Sequence, residues 1–289
     1  MSLTKTEIIV KNIIECSADA KRTSAEVNLL LDELVFDVDF SHKSLSDVKN
    51  EICNKYHDLQ EARKENEVSV TSYETAREQL YICKRIIEKL GNKLDLDSSF
   101  VQSFDSVKIA YWYTNSYAKE AYSKFSNLFK SCEEKPVESF TAVCESIDDE
   151  NSIFGVIPII NSTDGRLMSF YRLLDKYDLR ISAVCKIDNP NGDGFTKFAL
   201  VGKQLTNLDD KKEKTIEFST NKAISNFVSF AEKSGGTIGE ITSIPSLYGD
   251  TEQLNYISIS VDHNAIYELW LYLYMFVGDA DFVGLYTEI

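Results

Sequence analysis

The chain has 289 residues, 43% hydrophobic and 27% charged, a balance that supports two or three packed units and excludes wholesale disorder. Its 31 Lys and Arg against 46 Asp and Glu give a net charge of -15, which repels phosphate backbones and anionic headgroups, so neither nucleic acid nor a membrane is an expected partner. Any site for an anionic metabolite must gather Arg or Lys locally against that field.

No Gly precedes Gly91 and no Pro precedes Pro136, so the first part of the chain lacks turn punctuation and is expected to be helical. Leu45, Val48, Ile52, Tyr56 and Leu59 recur at steps of three and four, as do Leu80, Cys83, Ile86, Ile87 and Leu90, which makes two amphipathic helices. A third stripe, Val101, Phe104, Val107, Tyr111, Ala118, Ala121, Phe125 and Leu128, predicts one long helix capped by Asp97 or Ser98. With breaks at residues 37–46 and at Gly91-Asn92, this becomes a small helical bundle.

After Pro136 the period changes. Residues 153–160 form an apolar run closed by a polar turn, as in a buried strand, and residues 167–174 return to helical spacing. Strands are expected at 179–187 and 195–201, separated by the turn-rich stretch Asp188 to Gly194. A charged connection at 208–214 leads into strand 215–218, helix 223–233, strands 237–244 and 255–261, helix 265–276 and strand 282–286. That βαββαβ order is ferredoxin-like. The fold class is therefore α+β: an all-helical bundle over residues 1–132, a small α/β segment over 133–207 and a ferredoxin-like domain over 208–289.

The six cysteines (Cys16, Cys53, Cys83, Cys132, Cys144, Cys185) form no C-x-x-C pair, and the three histidines are isolated. They are expected as reduced, buried thiols with no metal site. No cationic leader and no apolar span of membrane length is present in the sequence, which predicts a cytoplasmic protein.

The segment Phe154-Gly155-Val156-Ile157-Pro158-Ile159-Ile160-Asn161-Ser162-Thr163-Asp164-Gly165 resembles the substrate block of prephenate dehydratases, usually written GVVPIENSTEG. The resemblance implies that Asn161, Ser162 and Thr163 bind a dicarboxylate. Gly194-Phe195-Thr196-Lys197-Phe198 is similar to the dehydratase Thr-Arg-Phe motif, which makes Thr196 the implied catalytic hydroxyl and Lys197 a substrate contact. The tail resembles an ACT domain, with Ala223, Ile224, Ser243 and Pro245 at the implied effector positions. Lys222 stands where that family has glycine, so phenylalanine is expected to bind weakly or not at all. The helical part is similar to chorismate mutases, for which Arg77 and Glu78 are the implied catalytic residues and Lys64 an implied substrate contact.

Two departures matter. Only residues 166–195 separate Gly165 from Thr196, where the dehydratase family inserts a second lobe, and the opening Gly-Pro-x-Gly-Thr motif is absent unless residues 113–117 are its relic. Lys108 to Phe125 can also be read as that relic instead of a long helix. The resemblance implies no cofactor, and chorismate, prephenate or an amino acid as small-molecule partner of a homodimer or homotetramer. It leaves three readings open: an enzyme with mutase activity and weak or absent dehydratase activity, a non-catalytic ACT-domain regulatory or structural dimer, and a second ACT-like piece over residues 153–205.

Overall fold

The computed structural model describes residues 8–13, 24–38, 40, 43–90, 104, 106–190, 192–206, 208, 213–222, 225–245, 253–262 and 265–289. The chain divides into two compact units, the first made of Met1–Leu94, Lys222–Gly236 and Asn264–Asp279, the second of Asp95–Asn221, Thr237–His263 and Ala280–Ile289.

The first unit is helical. Its elements are α1 (Ser24–Phe36), α2 (Leu45–Glu65), α3 (Ser72–Leu90), α7 (Ser225–Ser234) and α8 (Ile266–Tyr272), the last continued by a π-turn over Leu273–Val277. Helix α2 starts at a capping box in which Ser44 and Asp47 satisfy each other's backbone N–H groups. Its buried face is Val48, Ile52, Tyr56, Leu59 and Arg63, so the apolar stripe of the sequence runs one step further, into an arginine. The helices α7 and α8 lie within the βαββαβ stretch of the sequence but group with the N-terminal helices.

The second unit holds the sheet. Its strands are β1 (Val107–Trp112), β2 (Cys132–Val137), β3 (Phe154–Asn161), β4 (Gly165–Arg166), β5 (Arg180–Asp188), β6 (Phe195–Gly202), β7 (Glu213–Thr220), β8 (Thr237–Pro245), β9 (Gln253–Asp262) and β10 (Asp281–Tyr286), with helices α4 (Ser116–Ser126), α5 (Phe140–Asp148) and α6 (Met168–Lys176). The strand order is β2-β1-β3-β6-β5-β10-β7-β9-β8, with β4 paired to β3. Within it, β2-β1-β3 is parallel, and β10-β7-β9-β8 is antiparallel with the first and third strands of the tail in its centre.

The long helix expected over residues 101–128 is overturned. Residues 107–112 form strand β1, and the helix begins only at Ser116. Val107, Ile109 and Tyr111 enter one core with Phe125, while Ala110 enters the core on the other face. Val107 and Tyr111, on one face of the strand, lie four residues apart and so also fit a helical step that runs on into Ala118, Ala121 and Phe125 of α4. The caps Asp97 and Ser98, the stop at Gly91-Asn92 and Cys16 lie outside the described residues. The other five cysteines are free, with Cys83, Cys144 and Cys185 buried. Among the described residues no group of side chains is arranged to hold a metal, and no helix is long and apolar enough to cross a membrane.

One carboxylate ties this unit together. Glu217 on β7 is fully buried and accepts hydrogen bonds from the hydroxyls of Tyr171 (α6) and Tyr286 (β10), each at 2.6 Å, and from Nη1 of Arg166 (β4) at 2.8 Å. Arg166 also donates through Nε to Glu240 on β8. Burial is the largest influence on Glu217 and raises its carboxyl above the usual range, against the pull of Arg166.

Gly155 shows how closely the layers approach. A Cβ at this position would fall on the side chains of Val143 and Ile147, so α5 packs on β3 only because residue 155 lacks one. Gly155→Ala is expected to destabilise the chain by about 1–3 kcal/mol through overpacking. Urea unfolding should show a lower midpoint at an unchanged slope; an unchanged midpoint would mean that α5 yields without cost.

Candidate functional site

The parallel strands β2, β1 and β3 end on one edge of the sheet, and the chain leaves that edge in opposite directions. Helix α4 follows β1 and shares a core with Ile109 and Phe198, whereas α5 follows β2 and shares a core with Ala110 and Ile157 on the other face. A crevice at the carboxyl ends of strands, where the connections diverge in this way, is the usual ligand position of an open α/β sheet. Both helices start there. Asn115 caps α4 by accepting from the N–H of Ala118 at 2.9 Å, and Ser139 caps α5 by accepting from Ala142 at 3.1 Å.

The block after β3 completes the edge. Asn161 stands opposite Thr196 in the β3–β6 register and opposite Gly165 in β4. Its side-chain oxygen accepts from the N–H of Thr163 at 2.9 Å, which closes the turn. Ser162 donates its N–H to the carbonyl of Phe195, and its Oγ accepts from the Phe195 N–H, both at 2.9 Å. Gly194 makes room for this, since a Cβ there would strike Ser162 Oγ. The sequence-predicted residues Asn161, Ser162, Thr163 and Thr196 are thus brought together at one end of β3 and β6.

Lys197 is turned away from them. Alternation along β6 puts Thr196 on the face of Phe198 and Leu200, towards α4, and Lys197 on the opposite face. There its ammonium pairs with Glu288 at 2.5 Å. Lys186, opposite Lys197 in register, pairs with Asp188 at 2.8 Å, and Arg166 is held by Glu217 and Glu240. Neutral donors, backbone amides and two helix N-termini face this edge, together with the exposed Lys119 in the first turn of α4.

In the helical unit the implied mutase residues separate. Lys64 is exposed and pairs with Glu61, three residues earlier on the same helix. Its neighbour Arg63 is 2% exposed and grips Glu78 with two terminal nitrogens, Nη1 to Oε2 at 2.8 Å and Nη2 to Oε1 at 2.9 Å. The Tyr56 hydroxyl adds a third bond to Glu78 at 3.2 Å, and burial first, then Glu78, pushes the Tyr56 phenol well up. Glu78 is therefore saturated by Arg63, whereas Arg77 is half-buried with an Nε that meets no acceptor among the described residues. Arg63 occupies the next position of the stripe Val48, Ile52, Tyr56, Leu59, where a charge reads as the end of the apolar pattern.

Of the implied effector positions, Ala223 and Ile224 lie outside the described residues. Ser243 on β8 donates to the side-chain oxygen of Asn255 at 2.6 Å, and Pro245 is exposed at the end of the same strand.

A prephenate dehydratase family model matches residues 113–188, from the turn after β1 to the end of β5, which includes Asn161 to Gly165 and stops before Thr196. Among solved structures, the prephenate dehydratase of Streptococcus mutans is 18% identical with a TM-score of 0.52, covering 63% of this chain and 98% of its own. A structure described as GqqA, a novel type of quorum-quenching acylase, is 12% identical with a TM-score of 0.47 over 64% of this chain and 95% of that one. The prephenate dehydratase of Staphylococcus aureus subsp. aureus Mu50 is 9% identical with a TM-score of 0.46, covering 62% and 99%. Among curated protein sequences none matches this chain. The chain therefore carries a prephenate dehydratase-type segment, and its fold is like that of the Streptococcus mutans enzyme.

The adjacent pair Arg63 and Lys64 separates a buried role from a solvated one. Arg63→Met leaves the Glu78 carboxylate buried without its partner and is expected to cost about 3–5 kcal/mol. Lys64→Ala should stay within about 0.5 kcal/mol of the parent. Denaturant midpoints of the two variants decide it, and a larger loss for Lys64→Ala would reverse the assignment.

Proposed function

We propose that this chain is a non-dehydrating, amino-acid-responsive regulatory protein of the phenylalanine branch, built on a dehydratase-type fold from which one wall of the cleft is missing. The observation that carries this reading is the short path from Gly165 to Thr196. Residues 166–195 contain β4, α6 and β5, and β5 pairs along its length with β6, the strand that bears Thr196. Beyond those elements the described part of the segment holds only short connections and the turn into β6, too little chain for a second lobe across a cleft from Asn161 and Thr196. Loss of water and carbon dioxide from prephenate needs a general acid aligned with a substrate fixed by its carboxylates, and orientation of this kind is worth roughly 7–11 kcal/mol. Lys197 occupies the other face, and the family's acidic residue before Asn161 is Ile160. The antiparallel order β10-β7-β9-β8 supports an ACT-like tail, which in this reading acts within a dimer.

A second reading, chorismate mutase activity in the helical unit, is favoured by two buried donors without acceptors among the described residues, Arg77 Nε and Gln60 Nε2. Against it stands Glu78, whose oxygens are taken by Arg63 and Tyr56 and are not offered to an ether oxygen.

The test is direct. The purified full chain, concentrated enough to populate its native oligomer, is incubated separately with prephenate and with chorismate, and products are separated by chromatography. Neither phenylpyruvate nor prephenate is expected above the uncatalysed background. Rapid phenylpyruvate formation that Thr196→Ala abolishes would overturn the regulatory reading; prephenate formed from chorismate and lost in Arg77→Ala would establish the mutase instead.

A further inference from the structure

The start of β3 borders a cavity of about 280 Å³ that lies within the second unit. Phe154 opens β3 and Asn161 closes it, so at about 3.3 Å per residue the cavity is roughly 23 Å from the Asn161 turn. Its walls are apolar. The Phe154 ring meets Phe104 edge-on at 5.1 Å and stacks on Phe129 at 5.4 Å, while Ile147 near the end of α5 and Ile153 just before β3 complete the lining. Ile153 is 39% exposed, an apolar side chain left open to the cavity mouth. The buried hydroxyls at this place are satisfied from within: Ser152 Oγ lies 2.8 Å from Ser146 Oγ, and Thr206 donates to the carbonyl of Gln204 at 3.1 Å.

Two charged side chains line the cavity, and they are not equivalent. Lys203 is committed, because its Nζ donates to Oδ1 of Asp148 at 2.6 Å and to the carbonyl of Tyr177 at 2.7 Å. Glu150 is exposed and has no ion-pair partner among the described residues. It directly follows the C-cap residue Asp149 of α5, at the carbonyl end of the helix, which carries partial negative charge. With Asp148 offsetting Lys203, the mouth is left net negative, and the chain's charge of -15 reinforces that sign. An anion would be repelled here, and a neutral apolar molecule would leave the Glu150 carboxylate unused. An organic cation matches both parts of the site. We propose that this cavity binds a small organic monocation, an ammonium carried on an apolar body of about ring size: the body lies on Phe104, Phe154 and Ile153, and the ammonium meets the Glu150 carboxylate and the amide oxygen of Gln204. A volume just under the roughly 300 Å³ at which small-molecule pockets begin restricts the occupant to that size. The site shares no residue with the Asn161 turn or with the tail, and it stands independently of the regulatory reading.

The experiment is isothermal titration of the full chain at low salt with 2-phenylethylamine, 2-phenylethanol and 3-phenylpropionate, which share one apolar body and differ in charge. The amine should saturate, binding about threefold or more tighter than the alcohol and about tenfold or more tighter than the acid, and this advantage should shrink as salt is added. Glu150→Gln, a change at an exposed side chain, should bring the amine to the affinity of the alcohol, whereas Lys203→Ala should leave the amine bound no more weakly than in the parent. Ile153→Trp, which narrows the mouth, should weaken amine and alcohol alike, with folding of each variant checked by circular dichroism. The proposal is overturned if the amine fails to saturate by about 10 mM, if the acid binds as well as the amine, or if Glu150→Gln keeps the preference for the amine. Loss of amine binding in a folded Lys203→Ala chain, or unchanged binding in a folded Ile153→Trp chain, would place the ligand outside this cavity and overturn it as well.

Discussion

The second unit depends on a carboxylate that water never reaches. Glu217 would cost several kcal/mol to bury alone, and it is tolerated because Tyr171, Tyr286 and Arg166 each donate to it. The donors arrive from three separate elements, α6, β10 and β4, and converge on β7. None of these contacts is local in sequence, so the network forms only when the dehydratase-type strands and the tail strands have found each other. The direct strand pairing between those two halves is thin: β10 meets β5 through Gly284 and Ile181, with a further bridge from Val184 to Glu288. Gly284 permits even that, since a Cβ there would lie 2.8 Å from the Ile181 carbonyl oxygen. Arg166 directly follows Gly165, so the same network fixes the exit of the turn that begins at Asn161.

Much of this was readable from residue patterns, and the failures have physical causes. Strands and helices after residue 153 carry distinct periods and strong turn residues, and they appear within two or three residues of where the pattern puts them. Strand β1 was lost because Val107 and Tyr111, on one strand face, are four residues apart and also fit the helical step that continues into α4. Strand β2, Cys-Glu-Glu-Lys-Pro-Val, was invisible for a different reason: it is an edge strand, mostly exposed, with the charge and proline that such edges carry. Arg63 and Glu217 share a third cause. A charge on a buried face looks like an interruption of the apolar pattern, and only its partner, distant in sequence, turns the interruption into a cross-link. Of the site residues, Asn161 and Thr196 could be paired from motif resemblance, but the orientation of Lys197 follows from strand alternation, which a motif written as three consecutive letters conceals.

The carboxyl ends of β1 and β3 gather two helix N-termini and the Asn161 turn. Helix N-termini and turn amides provide partial positive charge, worth a fraction of a kcal/mol to about 2 kcal/mol per terminus in partly buried settings. That is small beside a bidentate arginine in a water-excluded site, and Arg166, Lys186 and Lys197 are each committed to a carboxylate of this chain, which leaves the exposed Lys119 near the start of α4. With an acidic global field added, selective capture of a dicarboxylate at this edge has little to draw on.

The dehydratase-like block has a structural use of its own, which the local hydrogen bonds show. Asn161 folds its own turn by holding Thr163, Ser162 locks the start of β6 through both polar groups of Phe195, and Gly194 is small because Ser162 fills its space. Gly155 is required by α5, and Gly165 adopts φ +73°, a backbone conformation that residues with a Cβ rarely adopt. Each of these residues would be retained by folding alone. A motif whose side chains are occupied in building the turn is therefore strong testimony to fold and weak testimony to catalysis, because the same letters satisfy both demands.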